Sequence, residues 1–72
     1  MNALEINRFI DLTVEYQMNG SRIKRNVKAG KVDNYGKNWL LVETEDETGQ
    51  ANRQWIDMNF FKKWLGQVDQ AA

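Results

Sequence analysis

Apolar and polar residues alternate from residue 10 to residue 18, which is typical of a β-strand with one buried side. The apolar positions are Ile10, Leu12, Val14, Tyr16 and Met18. Asn19-Gly20 follows directly, and this dipeptide favours a two-residue hairpin turn because both positions tolerate a positive φ. The pattern therefore predicts an antiparallel hairpin whose second strand reaches Lys28.

The two-residue turn also fixes which residues lie opposite each other in this hairpin. The predicted pairs are Gln17 with Arg22, Tyr16 with Ile23, Glu15 with Lys24, Val14 with Arg25, Leu12 with Val27, and Asp11 with Lys28. Apolar residues mostly face apolar residues and acids face bases. Arg25 is the exception, because its predicted position is on the apolar side of the hairpin.

The remaining pattern predicts three more strands and a helix at each end. The strands are expected near 31–35, at 39–44 after Gly36, and at 51–58 after the acidic turn 45–50. Asn2 followed by Glu5 predicts a capped helix at 3–9, and the apolar spacing after Met58 predicts an amphipathic helix at 59–68, capped by Asp57 or Asn59. We expect a single mainly β domain over 1–72, a five-stranded antiparallel small barrel of the SH3 or Sm type with flanking helices.

Composition removes several kinds of chemistry from consideration. The 72 residues include no cysteine and no histidine, so disulfides, thiolate nucleophiles, the usual zinc ligands and the commonest general base are missing. No serine, aspartate or glutamate has a general base or a metal-ligand partner at a spacing typical of a catalytic or metal site. We therefore expect no enzyme activity, no metal and no cofactor. The longest apolar run is too short to cross a membrane, and we expect a soluble cytoplasmic protein with no membrane partner.

The charges balance over the whole chain but not along it. Ten basic residues match ten acidic residues, yet residues 22–37 hold six bases and one acid, Asp33. The bases include Arg22, Lys24, Lys28 and Lys31, which the sequence places together as a stripe for nucleic-acid phosphates. The alternative is that Glu15 and Asp11 neutralise Lys24 and Lys28 across the hairpin.

Arg25 and the aromatic residues complete the candidate binding surface. Arg25 either extends to the rim of the barrel or pairs internally, or it captures a phosphate or carboxylate with its planar guanidinium. Tyr35, beside the Gly36 turn, is the predicted stacking platform for a base, whereas Trp39 is expected in the core because it opens the most apolar strand.

The order of motifs resembles that of known small-barrel families. The WYL domain of bacterial regulators has a similar succession of features, matched here by Tyr16, Asn19-Gly20, Arg25, Val27, Gly36, Trp39-Leu40-Leu41-Val42 and Arg53-Gln54-Trp55-Ile56-Asp57-Met58. The opening helix, strand and Asn-Gly turn also resemble the bacterial Sm-type RNA chaperones. The acidic last loop is similar to that of the Rof-type inhibitors of the termination factor Rho, which act by protein contact. These resemblances imply one architecture with different activities.

Two functions follow as hypotheses. The first is a non-enzymatic binding module that contacts single-stranded RNA, DNA or a nucleotide-type anion through Arg22, Lys24, Arg25, Lys28, Lys31 and Tyr35. The second is a protein-interaction factor of phage or mobile-element type, acting through the acidic residues Glu43, Glu45, Asp46 and Glu47 or through the aromatic helix with Phe60, Phe61 and Trp64. That helix could equally close one end of the barrel. Unpaired strand edges leave assembly into a ring open as well.

Overall fold

The computed structural model describes the backbone of residues 3–71 and the side chains of residues 5–68. In chain order the elements are α1 (Ala3–Asn7), β1 (Thr13–Met18), β2 (Ser21–Val32), β3 (Asn38–Glu45), β4 (Ala51–Asp57) and α2 (Met58–Ala71). The helix predicted at 3–9 is thus shorter and the helix predicted at 59–68 is longer. The predicted cap Asn2 lies outside the described residues.

The β1–β2 hairpin has the register that its turn predicts. Asn19 and Gly20 both have positive φ values, of 55° and 83°, as a type I′ turn requires. The pairs Gln17–Arg22, Tyr16–Ile23, Glu15–Lys24 and Val14–Arg25 are all confirmed. The local turn chemistry is therefore sufficient to specify this part of the sheet.

The prediction is wrong where it continues the hairpin to Asp11. The ladder ends at Thr13, because Asp11 takes a φ of 71° and turns the chain away. The Asp11 N–H donates to the carbonyl of Val27, and the Val27 N–H donates to the carbonyl of Leu12. Asp11 and Leu12 thus share Val27 as their partner. Lys28 is consequently not opposite Asp11, and its ammonium group pairs with Glu43.

The segment predicted as a separate strand at 31–35 is divided: residues 31 and 32 are the end of β2, and residues 33–35 belong to the turn that follows. A bulge lies between Val27, which pairs with Val42, and Ala29, which pairs with Leu41. The result is one four-stranded antiparallel sheet in the order β1-β2-β3-β4, with β1 and β4 as outer strands. The predicted antiparallel, mainly β class with two helices is confirmed. The fifth strand and the closed barrel are not.

The same five-residue turn closes the β2–β3 and β3–β4 hairpins. Its sequence is an aspartate, two variable residues, a glycine with positive φ and one further residue, at 33–37 and at 46–50. In both turns the aspartate N–H donates to the carbonyl of the last residue, and the glycine N–H donates to the aspartate carbonyl. Each aspartate carboxylate accepts N–H bonds from residues two and four positions later.

Both helices pack on the same side of the sheet, and the core lies between them and the strands. Its buried residues are Ile6, Val27, Leu40, Val42, Met58 and Phe61. Each fully buried side chain of this size contributes about 1.5–3 kcal/mol through removal from water. α1 approaches the sheet closely: its Ile6 lies against the backbone of Gly30, where a side chain would have no room.

The start of α2 shows why the second helix begins where it does. The Asp57 carboxylate accepts a hydrogen bond of 2.8 Å from the N–H of Asn59, which satisfies one of the free donors of the first turn. That bond, together with a hydrogen bond from the Lys37 side chain, lowers the pKa of Asp57. Asp57 is thus the cap, one of the two candidates from the sequence.

No helix within residues 3–71 is long and apolar enough to cross a membrane.

Candidate functional site

The predicted basic residues are divided between the two sides of the sheet. Leu40 and Val42 point into the core, so the alternating residues of β3 and their cross-strand neighbours form the opposite side. We call this side, which neither helix covers, the open face. Arg22, Lys24, Lys28 and Lys31 lie on it, whereas Arg25 lies on the helix-covered side and Tyr35 lies in the turn after β2.

The bulge brings Lys31 to the open face. Before the bulge, the open-face residues of β2 are even-numbered, as in Arg22 and Lys24. After it, Gly30 pairs with the buried Leu40 and Lys31 pairs with Trp39, so the odd-numbered residue is now on the open face. Lys31 therefore lies on the same face as the other basic residues of the predicted stripe, as expected. The cause is the bulge, which the sequence pattern does not predict.

Two of the four residues of the predicted basic stripe are neutralised by β3. Lys24 lies 3.8 Å from Glu45, and Lys28 lies 3.3 Å from Glu43, which also pairs with Arg53 at 3.7 Å. The alternative of neutralisation therefore fits these lysines, although the acids belong to β3 rather than being Glu15 and Asp11. Arg22 lines a shallow cavity rich in acids, namely Glu15, Glu45, Asp46 and Glu47.

The other end of the open face is aromatic and basic. We call it the tryptophan patch and define it by Lys31, Lys37, Trp39, Leu41 and Trp55. Lys31 reaches across β3, and its Nζ lies 4.4 Å from the centroid of the Trp55 ring. The Nζ of Lys37 lies 4.8 Å from the Trp39 centroid. Among residues 5–68, no carboxylate forms an ion pair with Lys31, whereas Lys37 pairs with Asp57 at 3.2 Å.

Asp33 fixes the orientation of Trp39 within the patch. Its Oδ2 accepts a hydrogen bond of 3.0 Å from the indole Nε1 of Trp39, while Oδ1 accepts from the backbone of Tyr35 and Lys37. The indole bond is the largest cause of a lowered Asp33 pKa, followed by the backbone bond from Lys37. The carboxylate thus stays charged and holds both the turn and the indole.

Trp39 and Trp55 are the residues that the sequence interpretation missed. Trp39 was expected in the core, but it is on the open face because Leu40, its neighbour, takes the buried side. Trp55 is 40 % exposed and lies opposite Leu41. The strict alternation of a strand places Trp39 on the side of Leu41 once Leu40 and Val42 are assigned to the core, whereas the position of Trp55 follows only from the register between β3 and β4. Tyr35, 94 % exposed, is at the same end of the sheet.

The acidic residues of the alternative hypothesis are largely engaged within the fold. Glu43 and Glu45 form the ion pairs described above, and Asp46 accepts hydrogen bonds from Thr48 and Gln50. The bond from the Thr48 hydroxyl is the largest cause of a lowered Asp46 pKa. Of the four predicted acids, Glu47 is exposed and has no side-chain partner among the described residues.

The aromatic helix serves the core more than the surface. Phe61 is buried, and Trp64 is half-buried with its ring centroid 5.3 Å from that of Phe61. Phe60 alone of the three points away, with 64 % of its surface exposed. The helix therefore packs on the sheet through Phe61 and Trp64.

Within the described residues, no group of three or more histidine, cysteine, aspartate or glutamate side chains could hold a metal ion. No protein-family model, curated protein or solved structure shows significant similarity to this chain.

Proposed function

We propose that this chain is a non-enzymatic binding module for a short single-stranded nucleic acid, which lies across the open face at the tryptophan patch. Bases stack on Trp55 and Trp39, and a phosphate contacts Lys31. The observation that carries the proposal is the exposed indole of Trp55 on an uncovered sheet, with the ammonium group of Lys31, which pairs with no carboxylate of residues 5–68, 4.4 Å from its centroid.

The aromatic part of the proposal rests on how sheets bind unpaired bases. An open antiparallel sheet with exposed aromatic rings is a stacking platform that several nucleic-acid-binding folds use. Trp39 pairs with Asp57, and Trp55 is two residues from that position on the same side. Diagonal neighbours of this kind are about 7–8 Å apart, which suits two successive unstacked bases.

The basic part of the proposal rests on Lys31. Its ammonium group has no carboxylate partner among residues 5–68, and its hold on the Trp55 ring is worth about 0.5–1 kcal/mol at an exposed site. A phosphate offers a stronger, charge-assisted partner. When a base stacks on the Trp55 ring, the Lys31 ammonium group can therefore move from the ring to the neighbouring phosphate.

The acidic end of the open face limits where the strand can lie. Glu43 and Glu45 are on the same face as the patch, two and four residues along β3 from Leu41. Like charges repel a phosphate that approaches them. The footprint is therefore confined to a few nucleotides near Lys31 and Lys37, and the predicted contacts from Arg22, Lys24 and Lys28 are not part of it.

The test is a fluorescence-anisotropy titration of a labelled ten-nucleotide oligothymidylate, and its RNA counterpart, at about 50 mM and 200 mM salt. Trp55→Ala should weaken binding at least about fivefold, because stacking of one base is worth about 1–3 kcal/mol. Lys31→Gln should weaken binding and reduce the slope of log affinity against log salt by about 0.7.

Two control variants separate the patch from general effects. Phe60→Ala removes an exposed aromatic ring on the other side of the molecule, and Lys28→Gln removes a lysine that is already ion-paired. Neither should change the affinity by more than about twofold. Absence of binding at about 50 mM salt, or equal losses in Lys28→Gln and Lys31→Gln, would reject the proposal.

A further inference from the structure

Arg25 occupies an unusual position on the helix-covered side of the sheet. Its Cζ lies 4.5 Å from the ring centroid of Trp64 and 5.9 Å from that of Tyr16. The two rings are themselves in edge-to-face contact, with centroids 5.1 Å apart and planes at 74°. The guanidinium is thus oriented by two aromatic rings, one from α2 and one from β1.

The positive charge of Arg25 has no carboxylate partner among the described residues. None of the ion pairs formed by residues 5–68 involves it. Its cross-strand neighbours are Val14 and Thr44, which carry no charge. A half-buried cation without a counterion is costly in free energy, since desolvation is not repaid by an ion pair.

The described residues also provide no hydrogen bond to the guanidinium. Its Nε is fully buried and has no acceptor, and no acceptor within residues 5–68 is bonded to its terminal nitrogens. Buried donors are nearly always satisfied in native proteins, so the guanidinium keeps hydrogen-bonding capacity that the described residues do not use. The internal ion pair, one of the two structural interpretations from the sequence, is not formed within residues 5–68.

The surroundings indicate the chemistry of such a partner. Rings beside a guanidinium exclude water and lower the local dielectric, which strengthens its attraction to an anion. The remaining N–H groups of an arginine match the geometry of a carboxylate or phosphate. Met18 and Ile23 lie on the same side of the hairpin, and Met18 is 54 % exposed, so apolar surface is available next to the charge.

We propose that Arg25, Tyr16 and Trp64 form a second binding site, for an oxyanion group carried on an apolar or aromatic body. A carboxylate and a phosphate monoester share the required chemistry. The oxyanion pairs with the Arg25 guanidinium, and the apolar body covers Met18 and Ile23. The site lies on the opposite side of the sheet from the tryptophan patch, so it does not depend on nucleic-acid binding there.

The test follows two NMR signals of the full chain, the Nε–Hε group of Arg25 and the indole N–H of Trp64. The probes are benzoate and phenyl phosphate, with benzyl alcohol as the neutral analogue and sodium chloride at equal ionic strength as the salt control. Saturable shifts of both signals with benzoate or phenyl phosphate, and not with the two controls, are expected. The probe that saturates at lower concentration identifies the preferred oxyanion.

Two variants make the test decisive. Arg25→Lys keeps the charge but loses the planar guanidinium, and should weaken the preferred probe about tenfold, as read from the Trp64 indole signal. Trp55→Ala, on the other side of the sheet, should leave the titration unchanged and shows that the site is separate from the patch. Shifts that never saturate, that benzyl alcohol reproduces, or that persist undiminished in Arg25→Lys would overturn the proposal and leave Arg25 a packing role only.

Discussion

The indole N–H of Trp39 donates a hydrogen bond of 3.0 Å to the carboxylate of Asp33 at the base of the β2–β3 turn. This contact joins the turn to the open face, because the same carboxylate also accepts two backbone N–H bonds within the turn. The second turn of the same sequence type has Asp46 in the equivalent place, without an indole. The two aspartates therefore form a natural matched pair.

Asp33 should make stability depend on acidic pH. Its pKa is lowered from the ordinary 3.8 in the folded chain, so its contribution to the free energy of unfolding is present above that value and is lost as the pH falls below it. Asp33→Asn should flatten the pH dependence of unfolding measured with urea between about pH 5 and pH 2.5.

The matched variant for this prediction is Asp46→Asn. The pKa of Asp46 is also lowered, so this variant should flatten the pH dependence as well. Only Asp33→Asn should shift the NMR signal of the Trp39 indole N–H, because its amide nitrogen would face another donor. An equal shift of that signal in Asp46→Asn would contradict the role assigned to the contact.

Gly30 and Gly66 should respond in opposite directions to substitution by alanine. A Cβ on Gly30 would overlap Cγ2 of Ile6, whereas a Cβ on Gly66 has nothing within 4 Å. Gly30→Ala should lower the free energy of unfolding by about 1–3 kcal/mol through overpacking. Gly66→Ala, inside α2, should raise it by about 0.5–1 kcal/mol. Urea titrations of both variants check this, and a neutral Gly30→Ala would mean that α1 does not pack as described.

Two adjacent phenylalanines of α2 should differ widely in their effect on stability. Phe61→Ala should cost about 3–5 kcal/mol, because it leaves a cavity in the core. Phe60→Ala should change stability by no more than about 0.5 kcal/mol, since its side chain is in water. Thermal or chemical unfolding distinguishes them, and similar losses for the two would show that the helix uses a different side against the sheet.

Glu43 should restrain nucleic-acid binding from the acidic end of the open face. Glu43→Gln releases Lys28 and Arg53 from their ion pairs, so the face gains positive charge. The affinity for oligothymidylate should rise, and the slope of log affinity against log salt should steepen by about 0.7 for each lysine or arginine that then contacts a phosphate. An unchanged slope would show that the bound strand does not extend beyond Leu41.

Local signals in the sequence predict the parts of the fold that depend on neighbouring residues. Asn19-Gly20 specifies its hairpin because the turn geometry needs those two residues, and Asp57 caps α2 because its carboxylate reaches the N–H of Asn59. The alternating pattern of β1 and the apolar spacing around Phe61 identify buried sides for the same reason.

The parts that depend on distant residues are not available from these patterns. The run 39–42 is apolar throughout, so its residues can be divided between two sides in either way, and only the packing of the helices against Leu40 decides for Trp39. Gly30 resembles a strand break, yet it continues β2 because its missing side chain admits Ile6. The tryptophan patch depends on both of these contacts between distant parts of the chain.

The bulge in β2 determines how the strand would respond to losing one residue. Without the bulge, the β2–β3 ladder would pair Lys28 with Leu41 and Lys31 with Asn38. Lys31 would then lie on the side of the sheet that the helices cover. The bulge accommodates Lys28 as one extra residue. A chain that lacks Lys28 would therefore still place Gly30 against Ile6 and Lys31 opposite Trp39. β2 can therefore lose one residue at the bulge while every other cross-strand pair stays the same.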